Sequence, residues 1–135
     1  MSALPRTIRT ALAVMTLERP GLVVQHFREG VRLDRAGFEE NRVMRHDLAG
    51  KEPHVLLTRF PKGLDFELDV ATKDHFGPER EEGLLRALAV VVEDNLTETI
   101  VRLAFGYFPP TFPVEVFTSE QEARTWLDGR VPTAP

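Results

Sequence analysis

The sequence predicts one α/β domain built on a central, mixed but mostly parallel β-sheet, with an antiparallel hairpin at its N-terminal side and about four helices. Three observations predict it. The chain has 135 residues, the size of a single domain around one core. Short apolar runs such as HVLLTRF, LLRALAVVV and PVEVF alternate with segments carrying helical start and stop signals, and that alternation goes with right-handed crossovers between parallel strands. The apolar fraction is 42% and the charged fraction 28%, ordinary usage for a globular chain.

Taken in order, Thr7 to Glu18 alternates apolar and polar residues before the turn signal Arg19-Pro20-Gly21, which predicts a first strand with a short helix as the competing reading. Leu22 to Phe27 is β-branched and apolar, Arg28-Glu29-Gly30 breaks it, and Val31-Arg32-Leu33 resumes the extended pattern, so two or three antiparallel strands open the domain. Asp34 is placed to cap a helix over Arg35 to Leu48, with Phe38, Val43, Met44 and Leu48 as its apolar stripe and Ala49-Gly50 as its end. His54 to Phe60 reads as a buried strand. Asp65 to Val70 alternates like a strand, yet Leu68 to Phe76 also fits a helix ended by Gly77-Pro78; a loop leading into a helix is expected.

Leu84 to Val92 is the clearest buried strand. Asn95 is expected to cap a helix from Leu96 to about Phe108, stopped by Pro109-Pro110. Pro113 to Phe117 is the last strand, and Thr118-Ser119 with Gln121 and Glu122 forms a capping box for a final helix through Leu127, closed by Gly129. The domain is expected to span residues 1–128, with 129–135 a disordered tail.

Composition removes several functions. Without cysteine there is no thiolate nucleophile, disulfide or Cys-based metal site. The net charge is −4 and the basic residues are interspersed with acidic ones, which argues against nucleic acid as a partner. No apolar run is long enough to span a membrane, and Arg9 and Glu18 interrupt the N-terminal segment where a signal peptide would be continuous; a cytoplasmic protein is expected. Serine occurs only at Ser2 and Ser119, neither on a nucleophile elbow. His26, His46, His54 and His75 have no spacing that places two imidazoles on one metal, and the acidic Asp65, Glu67, Asp69 and Asp74 match no calcium loop. The sequence therefore predicts no catalytic, cofactor-binding or metal-binding set. An enzyme using His54 or His75 would need an acidic partner to converge on it.

The segment from Leu96 carries the strongest functional signal. Ile100, Val101, Leu103, Ala104, Phe105, Tyr107 and Phe108 leave it a narrow polar face at Glu98 and Arg102, more apolar surface than one sheet face requires. A helix packed on the sheet with a loop over its second side is one reading. The other makes Ile100, Phe105, Tyr107 and Phe108 an interface for a homodimer or a regulatory protein partner, or the wall of a pocket for an apolar small molecule. Trp126 reads as core, packing the last helix onto the sheet.

The runs HVLLTRF, ALAVVVED and FGYFPP, followed by FPVEVFTSEQEARTWL, resemble the small bacterial STAS-like domains related to the SpoIIAA anti-sigma-factor antagonists. The similarity runs from about Gly21 to Leu127. It extends to a branch with the closing signature formed here by Pro113, Val114, Val116, Phe117, Thr118, Ala123, Trp126 and Leu127. The resemblance implies a SpoIIAA-like fold and a non-enzymatic role in protein–protein regulation. In the antagonists a serine at the start of the helix after the central strand is phosphorylated; between Phe60 and Phe76 this chain has no serine and only Thr72 as a hydroxyl, so that switch does not carry over. A carrier or sensor of a small lipid-like molecule, held between the Leu96 helix and the sheet, is the alternative.

Overall fold

The N-terminal stretch from Thr7 to Glu18 forms two strands rather than one, β1 (Arg6–Arg9) and β2 (Ala13–Arg19). Thr10 reverses the chain between them: its N–H donates to Ala13 O at 2.8 Å, and Ala13 N–H donates to Thr10 Oγ1 at 3.0 Å. The neighbouring Ala11 N–H donates to Glu40 Oε1 at 3.0 Å, so a distant helix completes a turn that has neither Gly nor Pro. β3 (Leu22–Phe27) follows through Pro20-Gly21, where Gly21 takes φ +84°, a conformation that costs glycine little.

The remaining elements of this computed structural model, which describes residues 4–67, 70, 78 and 82–132, are β4 (Arg32–Leu33), α1 (Arg35–Leu48), β5 (His54–Arg59), β6 (Asp65–Phe66), β7 (Leu85–Val91), α2 (Asn95–Tyr107), β8 (Val114–Phe117) and α3 (Glu120–Asp128). A six-stranded sheet has the order β1-β2-β3-β5-β7-β8. Its first three strands are antiparallel, and every pairing from β3 onward is parallel. The mixed, mostly parallel sheet is thus as the sequence predicts.

Three expectations are corrected. β4 does not extend the opening strands but pairs with β6 in a separate parallel ladder, so Asp65-Phe66 is a short strand where a loop was expected. Three helices are present among the described residues, against about four expected; the helix expected over Leu68–Phe76 falls, apart from Val70, outside the described residues. The N-cap of α2 is Asp94, not Asn95: its carboxylate accepts from Thr97 N–H, and Asn95 is already helical. Asp34 and Ser119 cap α1 and α3 as their sequence positions indicate, accepting from Gly37 and Glu122 N–H.

The sheet divides the core in two. One face carries Met15, Val23, Phe27, Leu56, Leu88 and Val90 beneath α1 and α2. The other carries Leu22, Val24, Val55, Leu57 and Val91 beneath α3, whose Ala123 and Leu127 are buried. Ala87 and Ala89 leave that second face shallow, which suits close approach of a helix. Trp126 lies half-buried against Phe117, ring centroids 5.9 Å apart, with the Arg130 guanidinium over its outer face at 4.1 Å. Val131 also packs against this cluster, and residues 133–135 lie outside the described residues.

Candidate functional site

The two helices on the first face differ in how they are held. α1 buries Gly37, Asn41, Arg45, His46 and Leu48. Of the apolar stripe read from the sequence, Leu48 is buried and Phe38 and Met44 pack against the core, whereas Val43 is 44% exposed and its expected place on the buried side is corrected; Asn41, Arg45 and His46 are buried there instead. α2 buries none of its 13 residues. A helix of that length is marginal on its own, so α2 depends on partial packing of Val101 and Phe105 and on its cap. Asp94 accepts from Thr97 N–H at 2.8 Å and from Gly63 N–H at 2.9 Å, which ties the start of α2 to the loop after β5. The Thr97 hydroxyl, with those two amides, holds the Asp94 carboxyl below its ordinary range.

Between α2, α1 and the sheet lies a cavity of about 170 Å³. Its floor is a row across three strands, where Gln25 registers with Thr58 and Thr58 with Val90. Leu56 and Leu88 flank that row, Leu33, Phe66 and Val70 close one part of the wall, and Ile100, Val101, Ala104 and Phe105 line it from α2. Phe27 and Phe60 stack at 4.6 Å, with Phe38 tilted against Phe27 at 5.6 Å, and all three rings reach the cavity.

Polar groups interrupt this apolar lining. Gln25 and Thr58 are each 5% exposed and Asn41 is 3% exposed. Gln25 Nε2 donates to Thr58 Oγ1 at 3.3 Å, and the Thr10 hydroxyl donates to Asn41 Oδ1 at 2.6 Å. The other half of each amide, Gln25 Oε1 and Asn41 Nδ2, has no hydrogen-bond partner among the described residues, a costly arrangement for buried groups.

Arg45 also lines the cavity. Its Nε donates to His54 Nε2 at 3.2 Å, and Nη2 lies 3.2 Å from His46 Nε2. A guanidinium only donates, so both imidazoles accept through Nε2 and carry their proton on Nδ1. His54 Nδ1–H then donates to Glu52 O, and His46 Nδ1–H faces Glu82 Oε2, each at 2.9 Å. Arg42 reaches the same Glu82 carboxylate at 2.9 Å. Among the described residues His54 thus meets an arginine and a carbonyl, and it is not one of the residues that line the cavity. His75, Asp69, Asp74 and Thr72 lie outside the described residues.

Of the residues singled out on the Leu96 helix, Ile100 and Phe105 line the cavity. Tyr107 is 70% exposed and, with Phe108, lies away from it. Sequence reasoning missed Gln25, Asn41, Arg45 and Thr58. Their signal is polarity where burial is expected: Asn41 and Arg45 fall at helical spacing between Phe38 and Leu48, while Gln25 and Thr58 interrupt apolar strand runs.

A second polar cluster stands on the α3 side. Arg124 forms a bidentate pair with Glu18 at 2.7 and 3.0 Å and reaches Glu120 at 3.1 Å, and Glu120 also takes His26 at 3.0 Å and Arg59 at 3.3 Å. The hydrogen bonds from Arg124 hold Glu18 below the ordinary carboxylate range. Burial pushes Glu120 up, but Arg124, His26 and Arg59 together bring it below that range as well. These charges are paired with one another and fasten α3 to β2, β3 and β5.

Among known proteins, a family model described as SpoIIAA-like matches residues 14–128. A crystal structure of an uncharacterised protein of the DUF3478 family with a SpoIIAA-like fold, from Shewanella loihica PV-4, is 18% identical, covering 94% of this chain and 98% of that one with a TM-score of 0.49. No curated protein matches the chain.

Proposed function

The chain belongs to the SpoIIAA-like family, and from that premise we propose that it is a non-enzymatic STAS-type module that takes up a small, mostly apolar molecule between α2 and the sheet. The observation that carries this reading is the cavity of about 170 Å³ lined by Phe27, Phe38, Phe60 and Phe105 beneath a helix with no buried residue. An apolar cavity of roughly 150 Å³ is large enough to bind benzene. Occupancy gives α2 the packing partner it lacks, so the bound molecule and the order of α2 are linked. The non-enzymatic part of the reading is supported by the absence of cysteine from the sequence and by the engagement of both His54 ring nitrogens in structural hydrogen bonds.

Titration with ethylbenzene, followed by amide NMR, tests the reading. Saturable shifts are expected at Leu56, Leu88, Val90 and along α2, and Ala104→Phe, which fills the cavity from α2, should abolish them. Shifts that never saturate, or that fall outside these elements, would refute it. A second reading places a homodimer or regulatory partner on the outer side of α2, favoured by Leu103 and Tyr107 at 50% and 70% exposure. A native mass of one chain, with no partner recovered, would count against it.

A further inference from the structure

The cavity meets solvent at one edge. Of the described residues that line it, only Gly63 and Leu96 are exposed, Leu96 at 66%; the strand floor and the aromatic wall are buried or half-buried. Gly63 lies in the turn after β5 and Leu96 in the first turn of α2, so the two mark a mouth between that turn and the start of the helix. One carboxylate spans it. Asp94 Oδ1 accepts from Thr97 N–H at 2.8 Å, within the first turn of α2, and Asp94 Oδ2 accepts from Gly63 N–H at 2.9 Å, on the opposite rim. Both Asp94 and Thr97 line the cavity as well. Because α2 buries none of its residues, its own packing offers little resistance to its first turn swinging away from the sheet.

Resting on the ligand-binding reading above, we propose that a ligand enters and leaves between Gly63 and Leu96, and that Asp94 is the latch of this mouth: Oδ1 keeps α2 wound, while Oδ2 holds the opening shut. The closed chain carries the latch whether the cavity is full or empty, so the bond cancels from the affinity. It does not cancel from the rates, because entry and exit both wait on the opening that breaks it. Loss of one charge-assisted hydrogen bond should raise the open population, and with it both rate constants, about tenfold. A bond that stiffened only the occupied state would slow exit alone.

Asp94→Asn separates the two oxygens. Its amide oxygen caps α2 about as well, but its NH2 group meets Gly63 N–H donor against donor; Asp94→Ser keeps a cap oxygen and has no second one. On the full chain, NMR exchange spectroscopy of free and bound ethylbenzene should show association and dissociation both about tenfold faster in either variant, with the dissociation constant within about twofold of the parent. Should Asp94→Asn fail to fold, Asp94→Ser decides alone. Unchanged rates in the variants, or faster dissociation matched by weaker binding, would overturn the latch and leave the cavity reading standing. Ethylbenzene that fails to bind the unmodified chain would overturn both.

Discussion

Placing the same methyl group at two helical glycines should move stability in opposite directions. In α1, Gly37 faces the β1–β2 turn, and a Cβ there would lie 2.6 Å from Leu12 Cγ and 2.8 Å from Asp34 Oδ1. Leu12 is 5% exposed and has little room to yield. Asp34 Oδ1 is the cap atom that accepts from Gly37 N–H at 2.7 Å. Gly37→Ala gains about 1 kcal/mol of helix propensity but costs roughly 1–3 kcal/mol in overpacking and up to about 1 kcal/mol of cap. The net expectation is a loss of about 1–3 kcal/mol. In α2, a Cβ at Gly106 meets nothing within 4 Å, so Gly106→Ala keeps only the propensity gain, about 0.5 kcal/mol so close to the helix end. Urea unfolding reads both as midpoint shifts at constant slope. A Gly37→Ala chain as stable as the parent would refute the close seating of α1, and with it the position given to Asn41 over the cavity.

Two further substitutions test the polar framework. His54→Phe keeps ring volume but removes the acceptor for Arg45 Nε, a 6%-exposed cation; a loss of about 2–3 kcal/mol is expected, with His54→Gln recovering part of it, and equal stability of the two variants in urea would contradict the assigned tautomer. Glu18 and Glu120 are held below their ordinary value of 4.5 in the folded chain, so their contribution is present above that pH and is lost as pH falls below it. Arg124→Met should cost about 0.5–1 kcal/mol at neutral pH, the range for partly exposed pairs, and flatten the loss of stability below pH 4.5; an unchanged acid limb in denaturant titrations would rule out this network as its source.

Local signals in the sequence were sufficient for the strands and caps that rest on them. The runs Val55–Leu57 and Ala87–Val92 are apolar at every position, and Asp34 and Ser119 stand where a cap must. The β1–β2 turn was invisible because its partners, Glu40 and Asn41, come from α1. Asp94 and Asn95 are both good cap residues, and the choice fell to Asp94 through its tie to Gly63 N–H, a tertiary contact. The cavity was half legible. Ile100 and Phe105 were visible as surplus apolar surface, while Gln25 and Thr58 meet only when β3 and β5 pair. Counting hydrophobicity put Val43 inside and passed over Asn41, although the spacing from Phe38 to Leu48 places Asn41 and Arg45 on the buried side.

Hydrogen exchange of the α2 amides, with and without ethylbenzene, tests the link between cavity and cover most directly. In the free chain α2 should exchange well ahead of β5 and β7, as expected for a helix with no buried residue. With ethylbenzene at 100 times its dissociation constant, protection of α2 should rise by up to about 100-fold. Exchange in α2 as slow as in the central strands without ligand, or unchanged at saturation, would contradict the account.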